Sequence, residues 1–333
     1  MRAGITGFRG YSGAELVQIL ERHLLVDPVL LEHRHDAGAR PLPLGAKRPL
    51  TAPSTAASVR AEALDVVFLA TPPEVSMELA PEMLDAGAKV IDLSGAFRLR
   101  TPDRYQRWYK EAHTQPALLA EAAYGLPEVF REMVRPARLV SNPGCYPTAA
   151  NLAIRPLVEK GVIDLAAGIV CDAKSGVSGA GRKASLTTSF CEVTENFSAY
   201  SVLDHRHVPE VLLTSGLEES QFSFTAHLLP IDRGILETIY FRAPDISSAE
   251  ELVSIYETHY RDEPFLKVYP PGHMPDLRSV QRTNDCAIGV KFDQSTRRAV
   301  VVAVIDNLVK GAAGQAVQNM NLVLGFRETE GLL

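Results

Sequence analysis

The chain predicts an α/β fold in two parts: a doubly wound parallel sheet, then an α+β domain with a mainly antiparallel sheet. Three observations predict it. Short apolar runs alternate with helical patterns up to residue 144, and a glycine-spaced turn stands after the first of those runs. Past residue 145, strand patterns follow one another with few helices between them. A chain of 333 residues suits two domains, expected as 1–144 with 307–333 and as 145–306.

Taken in order, the strand patterns of the first part are RAGIT, DPVLLEH, LDVVFLA, AKVIDLS and ARLVS. Leu16, Ile19 and Leu20 recur at helical spacing, and PEVSMELAPEMLDAG reads as a helix stopped at Gly87. Strands separated by helices imply a parallel sheet wound on both faces. After Cys145, YPTAANLAIRPLVEKG reads as a helix with Pro147 in its first turn and Gly161 as its stop. AGIVCDA, FSFTAHLLP, GILETIYFRA, DCAIGVKF and RAVVVAVID then read as strands, interrupted by a helix at SAEELVSIYETHY. KGAAGQAVQNMNLVLG is a small-residue helix expected to pack closely.

The bulk properties exclude several classes. With 46% hydrophobic and 22% charged residues the composition is that of a soluble globular protein. A net charge of -6 without a basic run gives nucleic acid no footing, and no apolar run reaches membrane length. The four cysteines form no CxxC and no zinc-spaced cluster, so no metal is expected and a reduced, cytoplasmic setting is.

GITGFRGYSG carries glycines at 4, 7, 10 and 13, between a strand and a helix. Glycines in that place allow a tight turn and bring backbone N–H groups close to a pyrophosphate, which the helix N-terminus also attracts. Gly7, Phe8, Arg9, Gly10, Tyr11, Ser12 and Gly13 are therefore assigned to a dinucleotide. At the end of the second strand, LLEHRHDAGAR offers Glu32 for ribose hydroxyls and Arg34 for a 2′-phosphate; Arg34 tips the expectation to NADP.

Cys145 would begin a helix directly after a strand, where partial positive charge favours a thiolate, whereas Cys171 and Cys286 lie inside apolar strands as packing. A thiol beside a nicotinamide suggests thioester chemistry with hydride transfer. DHRHVPE supplies His205, His207 and Glu210, and an extended stretch would turn both histidines to one side. KSGVSGAGRKAS is a Gly/Ser loop suited to anions, with Ser175 and Gly176 assigned to cofactor and Arg182 to substrate. Ser94 and Arg98, just past a strand end, could hold a substrate oxygen.

SNPGCYPT followed by HRHVPE, together with GFRGYSG, LATPPEVS, IDLSGAFRL, SGVSGAGR and VIDNLVKGAAGQ, resembles the N-acetyl-gamma-glutamyl-phosphate reductases from end to end. The resemblance implies a Rossmann-type first domain and a dehydrogenase-like second domain that self-associates as a dimer or tetramer. It also implies Cys145 as nucleophile, His207 as acid/base with His205 and Glu210 close by, and an NADPH site that includes Thr71, Pro72 and Asn307. The reaction implied is reductive dephosphorylation of an acyl phosphate in arginine biosynthesis. The chain departs from the family pattern at Phe8 and Arg9, usually small, and at Ala96, usually acidic. An aminoadipyl phosphate of lysine biosynthesis, differing by one methylene, stays open as substrate. So do a cysteine hydrolase or acyltransferase without nicotinamide, and a cofactor-sensing protein without catalysis.

Overall fold

The computed structural model describes residues 1–33 and 49–333. Two compact units emerge, Met1–Gly144 with Ala312–Leu333, and Cys145–Gly311.

The first unit runs β1 (Arg2–Thr6), α1 (Tyr11–Arg22), β2 (Asp27–Glu32), β3 (Leu50–Pro53), α2 (Ala56–Ala61), β4 (Val66–Leu69), α3 (Pro73–Asp85) and β5 (Lys89–Asp92). It continues through α4 (Pro102–Tyr109), α5 (Pro116–Glu121), β6 (Ala123–Tyr124), α6 (Pro127–Val134) and β7 (Leu139–Ser141). Among the described residues its sheet has seven strands in the order β3-β2-β1-β4-β5-β7-β6, every pairing parallel. The inner strands β4 and β5 are buried almost throughout, which is why they read as unbroken apolar runs rather than alternating ones. Leu16, Val17, Ile19 and Leu20 are the buried stripe of α1; fully burying each contributes roughly 1.5–3 kcal/mol.

The second unit runs α7 (Cys145–Glu159), β8 (Ile169–Gly176), α8 (Phe190–Val193), β9 (Ser198–Tyr200), α9 (Val208–Ser215), β10 (Phe222–Leu229) and β11 (Ile235–Arg242). It ends with α10 (Ala249–His259), β12 (Leu266–Val268), β13 (Cys286–Asp293) and β14 (Arg298–Ile305). Its sheet has the order β12-β13-β14-β11-β8-β10-β9, with β10–β8 and β12–β13 parallel and the other pairings antiparallel. One sheet face is buried and the other half-exposed, and β8 alternates accordingly.

The helix that Cys145 begins is held from two sides. Pro156 has no N–H for the carbonyl of Leu152 four residues back. Tyr260, just past α10, supplies the missing donor, its hydroxyl bonding the Leu152 carbonyl at 2.7 Å, and Tyr256 donates to the neighbouring Ala153 carbonyl. On the other side the Ser215 hydroxyl of α9 donates to Asn151 at 2.9 Å, and Arg155 donates to the Thr214 carbonyl.

The last helix, α11 (Gly314–Val323), belongs to the first unit and is buried along its whole length. Buried amide donors of the helix are engaged there: Asn319 donates to the Gly125 carbonyl and to Asn142, and Gln318 to Glu128. The expected boundary at residue 307 needs correction, because Asn307–Gly311 group with the second unit. The reason is local. Asn307 accepts from the Gly234 backbone at 2.7 Å and donates to Ser178 at 3.0 Å, and Asp306 caps the Leu308 N–H and binds Arg233.

Candidate active site

Cys145 is the first residue of a fifteen-residue helix and remains partly exposed. The partial positive charge of a helix start favours an anion there. A cavity of about 550 Å³ opens beside it, and Ser175, Gly176, His205 and His207 line it together with Cys145. Thus five of the residues singled out from sequence come into one cavity of the second unit.

The two histidines are brought together by a turn rather than by an extended stretch, which corrects the expectation. His205 to His207 forms the entry to α9, and His207 itself is the helix N-cap residue. The His207 backbone N–H donates to His205 Nδ1 at 3.1 Å, and the ring centroids lie 4.8 Å apart. Pro209 and the helix that follows force the turn, since proline fits the first helical turn and not a continued strand.

His205 is enclosed by rings. Those of Tyr146, Tyr200 and Phe224 lie 5.4, 5.7 and 5.3 Å from its own. Burial among them, reinforced by the neighbouring Arg206 charge, pushes its pKa down to about 4. His205 is therefore neutral near pH 7, and because Nδ1 accepts, its ring proton sits on Nε2. Tyr146 and Tyr200 share a hydroxyl–hydroxyl bond of 3.0 Å, and burial raises the pKa of both phenols.

Sequence reasoning missed these tyrosines. Tyr146 adjoins the cysteine, but Tyr200 reaches the site only because β9 pairs with β10, placing Tyr200 opposite Ala226. Gly311 was missed too. A Cβ there would lie 2.9 Å from the Cys145 Cβ, so only glycine lets the chain pass against the cysteine at this distance.

Other assignments fare differently. Glu210 is buried in the first turn of α9 and lies outside the residues lining the cavity. Arg182 is exposed and also outside that lining. Asn307, expected against the cofactor, spends its amide on Gly234 and Ser178 as described.

In the first unit, Gly7 has φ +79°, and a Cβ on Gly13 would lie 2.2 Å from the Gly7 carbonyl oxygen. The Gly10 N–H closes this turn on Gly7 at 3.0 Å. Gly10 caps α1 without a side chain, which leaves the first helical N–H groups for an anion. Phe8 is buried, Tyr11 is exposed and Ser12 half-exposed at the helix start. Arg9 pairs with Glu32 at 2.7 Å. Thr71 bonds Ser76 at 2.8 Å, and Pro72 is the N-cap residue of α3. Ser94 donates to Asp92 at 2.7 Å and accepts from the Ala96 N–H, while Arg98 is buried and donates to the Leu93 carbonyl at 2.9 Å. Arg34 lies outside the described residues. Among those residues no helix is long and apolar enough to cross a membrane.

Comparison with known proteins points in one direction. A family model described as "Semialdehyde dehydrogenase, NAD binding domain" matches residues 2–137, and one described as "Semialdehyde dehydrogenase, dimerisation domain" matches residues 145–307. An N-acetyl-gamma-glutamyl-phosphate reductase of Symbiobacterium thermophilum is 47% identical over 100% of this chain and 97% of its own. One of Desulforudis audaxviator is 46% identical over 100% and 98%. Among solved structures, aspartate semialdehyde dehydrogenase II of Vibrio cholerae superposes with a TM-score of 0.73 at 19% identity, covering 97% of this chain and 98% of that one. That likeness speaks for the fold.

Proposed function

The chain belongs to the N-acetyl-gamma-glutamyl-phosphate reductases of the semialdehyde dehydrogenase family, and from that membership we propose that it is an NADPH-dependent reductase of N-acetyl-gamma-glutamyl phosphate serving arginine biosynthesis. The product is N-acetyl-glutamate 5-semialdehyde. The observation that carries the reading is the gathering of Cys145, at a helix start, with His205 and His207 around one cavity.

The residues of the first unit fit the cofactor. A turn so tight that side chains at 7 and 13 would strike backbone, followed by a helix capped without a side chain, is built to admit a pyrophosphate. The Gly7–Gly13 turn with Thr71 and Pro72 would hold NADPH, as would Ser175 and Gly176 on the second unit. When bound, NADPH supplies the hydride for the reduction.

The chain's own residues do the rest. The Cys145 thiolate attacks the acyl carbon, the C–O bond to phosphate breaks, and inorganic phosphate leaves a thioester on the sulfur. His207 takes the thiol proton as the attack begins and lends it to the oxygen of the thiohemiacetal formed on reduction. It takes the proton back as the C–S bond breaks and the aldehyde departs. His205, neutral and donating from Nε2, orients the substrate. Ser94 and Arg98 are assigned to substrate oxygens, with Arg182 and Glu210 in supporting places.

Self-association is assigned to the half-exposed face of the second sheet. Val170 and Tyr240 are paired across β8 and β11, with Val300 opposite Tyr240 on β14, and Val170 and Tyr240 are 48% and 44% exposed. A homodimer or homotetramer in the cytoplasm is the state proposed, and light scattering on the purified protein reads the assembly directly.

The function is tested in reverse. N-acetyl-glutamate semialdehyde, phosphate and NADP should generate NADPH absorbance. One methylene changes discrimination by only about 1–3 kcal/mol, so the aminoadipate semialdehyde analogue belongs in the same assay. A higher kcat/KM for that analogue would overturn the arginine assignment and leave the chemistry standing.

A further inference from the structure

Glu32 is the last residue of β2, and β2 lies directly beside β1, with Thr6 opposite Leu31. An acid at the end of the second strand is suited to ribose hydroxyls and opposes a 2′-phosphate, because a carboxylate and a phosphate repel. A reductase that uses NADPH must deal with that charge. In this chain the residue that meets it comes from the glycine turn. The Arg9 guanidinium binds Glu32 Oε1 at 2.7 Å and lies 4.6 Å from the centre of the Phe8 ring. Phe8 is only 2% exposed, so the ring is a fixed platform for the cation. The Arg9 side chain is 18% exposed against 48% for Glu32: the arginine is the held partner and the acid faces outward.

We propose that Arg9 is a cofactor-specificity residue that acts through Glu32: by holding the carboxylate in an ion pair it removes the negative charge that would turn a 2′-phosphate away. The inference rests on the reading that the glycine turn holds NADPH. It makes Phe8 and Arg9 a working unit, with the ring positioning the guanidinium and the guanidinium cancelling the acid. It also separates Arg9 from a direct phosphate ligand, because a masking residue becomes dispensable once the acid it masks is gone.

The test is calorimetric binding of NADPH and of NADH, without substrate, to the wild type, Arg9→Ala, Arg9→Gln, Glu32→Gln and Arg9→Ala/Glu32→Gln. Arg9→Ala and Arg9→Gln are expected to raise the NADPH Kd by about tenfold or more while moving the NADH Kd by less than about threefold. The double variant is expected to return NADPH binding to within about threefold of wild type. A double variant as weak as Arg9→Ala would overturn masking, since Arg9 itself would then carry the phosphate. Equal losses for both nucleotides, or none for either, would overturn any role in specificity. Wild-type protein that binds neither nucleotide would bring down the underlying NADPH reading as well, whereas normal wild-type binding with an inert Arg9 removes the inference alone.

Discussion

Cys145 and Cys171 are the same side chain in one compact unit, in opposite surroundings. Cys145 begins α7, is partly exposed and lines a cavity with two histidines. Cys171 lies inside β8 with no exposure, its S–H donating to Glu237 Oε2 at 3.7 Å. Burial first and the Glu237 carboxyl second push the Cys171 thiol well above its usual range. Burial likewise raises the Glu237 pKa, so both groups are pushed toward their neutral forms. Thiol chemistry is thus assigned by place: a helix start and solvent access favour the anion, a closed strand interior suppresses it.

The largest test of that contrast is substitution at both places. Cys145→Ser is expected to lower turnover by about a thousandfold or more with NADPH binding intact, because a hydroxyl is a poor nucleophile here. Cys171→Ser should keep most of the activity. Comparable losses at the two positions, measured on folded protein, would erase the distinction.

Next come the histidines. His207→Ala should reduce kcat by about a hundredfold or more, the range for a positioned acid/base. His205→Ala should act mainly on KM, and the opposite pattern would exchange their roles. A smaller effect is expected from Gly311→Ala, whose Cβ would stand 2.9 Å from that of Cys145. Displacing the thiol should lower kcat by about tenfold while leaving NADPH affinity unchanged.

Stability against pH gives the finest tests, with opposite signs in the two surroundings. The folded pKa of His205 is about 4, below the ordinary 6.5, so between those values the unfolded chain binds more protons. The wild type should therefore lose stability as pH falls from 6.5 toward 4, by up to about 3 kcal/mol relative to His205→Gln. For Glu237 the folded pKa is raised, so the unfolded chain releases its proton first and stability falls as pH rises above about 4.5. Glu237→Gln should gain on the wild type over that rise. Denaturant melts across pH read both, and parallel curves for variant and wild type would deny the burial that causes each shift.

Much of the fold is legible in the amino-acid sequence. The stretches read as β1, β2, β4, β5 and β7 are strands, and PEVSMELAPEMLD is a helix, because continuous apolar runs and helical spacing report burial directly. Short elements are not legible. β6 spans Ala123–Tyr124 and β9 Ser198–Tyr200, too short for a period to show, and both exist because a longer strand offers them a ladder. The helices from Pro102 to Val134 are six to eight residues long and equally hard to see by period, although each begins with proline at its first position.

The sequence by itself determined what depends on neighbours along the chain: the glycine turn, the helix that Cys145 opens, and the nearness of His205 to His207. Backbone sterics and helix termini act over a few residues, so a short stretch carries their whole cause. Only the tertiary structure decided what depends on groups distant in sequence. It brought Tyr200 and Phe224 around His205, set Gly311 against Cys145, and engaged Asn307 with Gly234 and Ser178. It also paired Arg9 of the glycine turn with Glu32 at the end of β2. Burial, ring enclosure and ion pairing arise only when strands and helices meet, which is why Tyr200 and Gly311 were not legible and why the residues that could be named, such as His205, did not disclose their protonation or pairing.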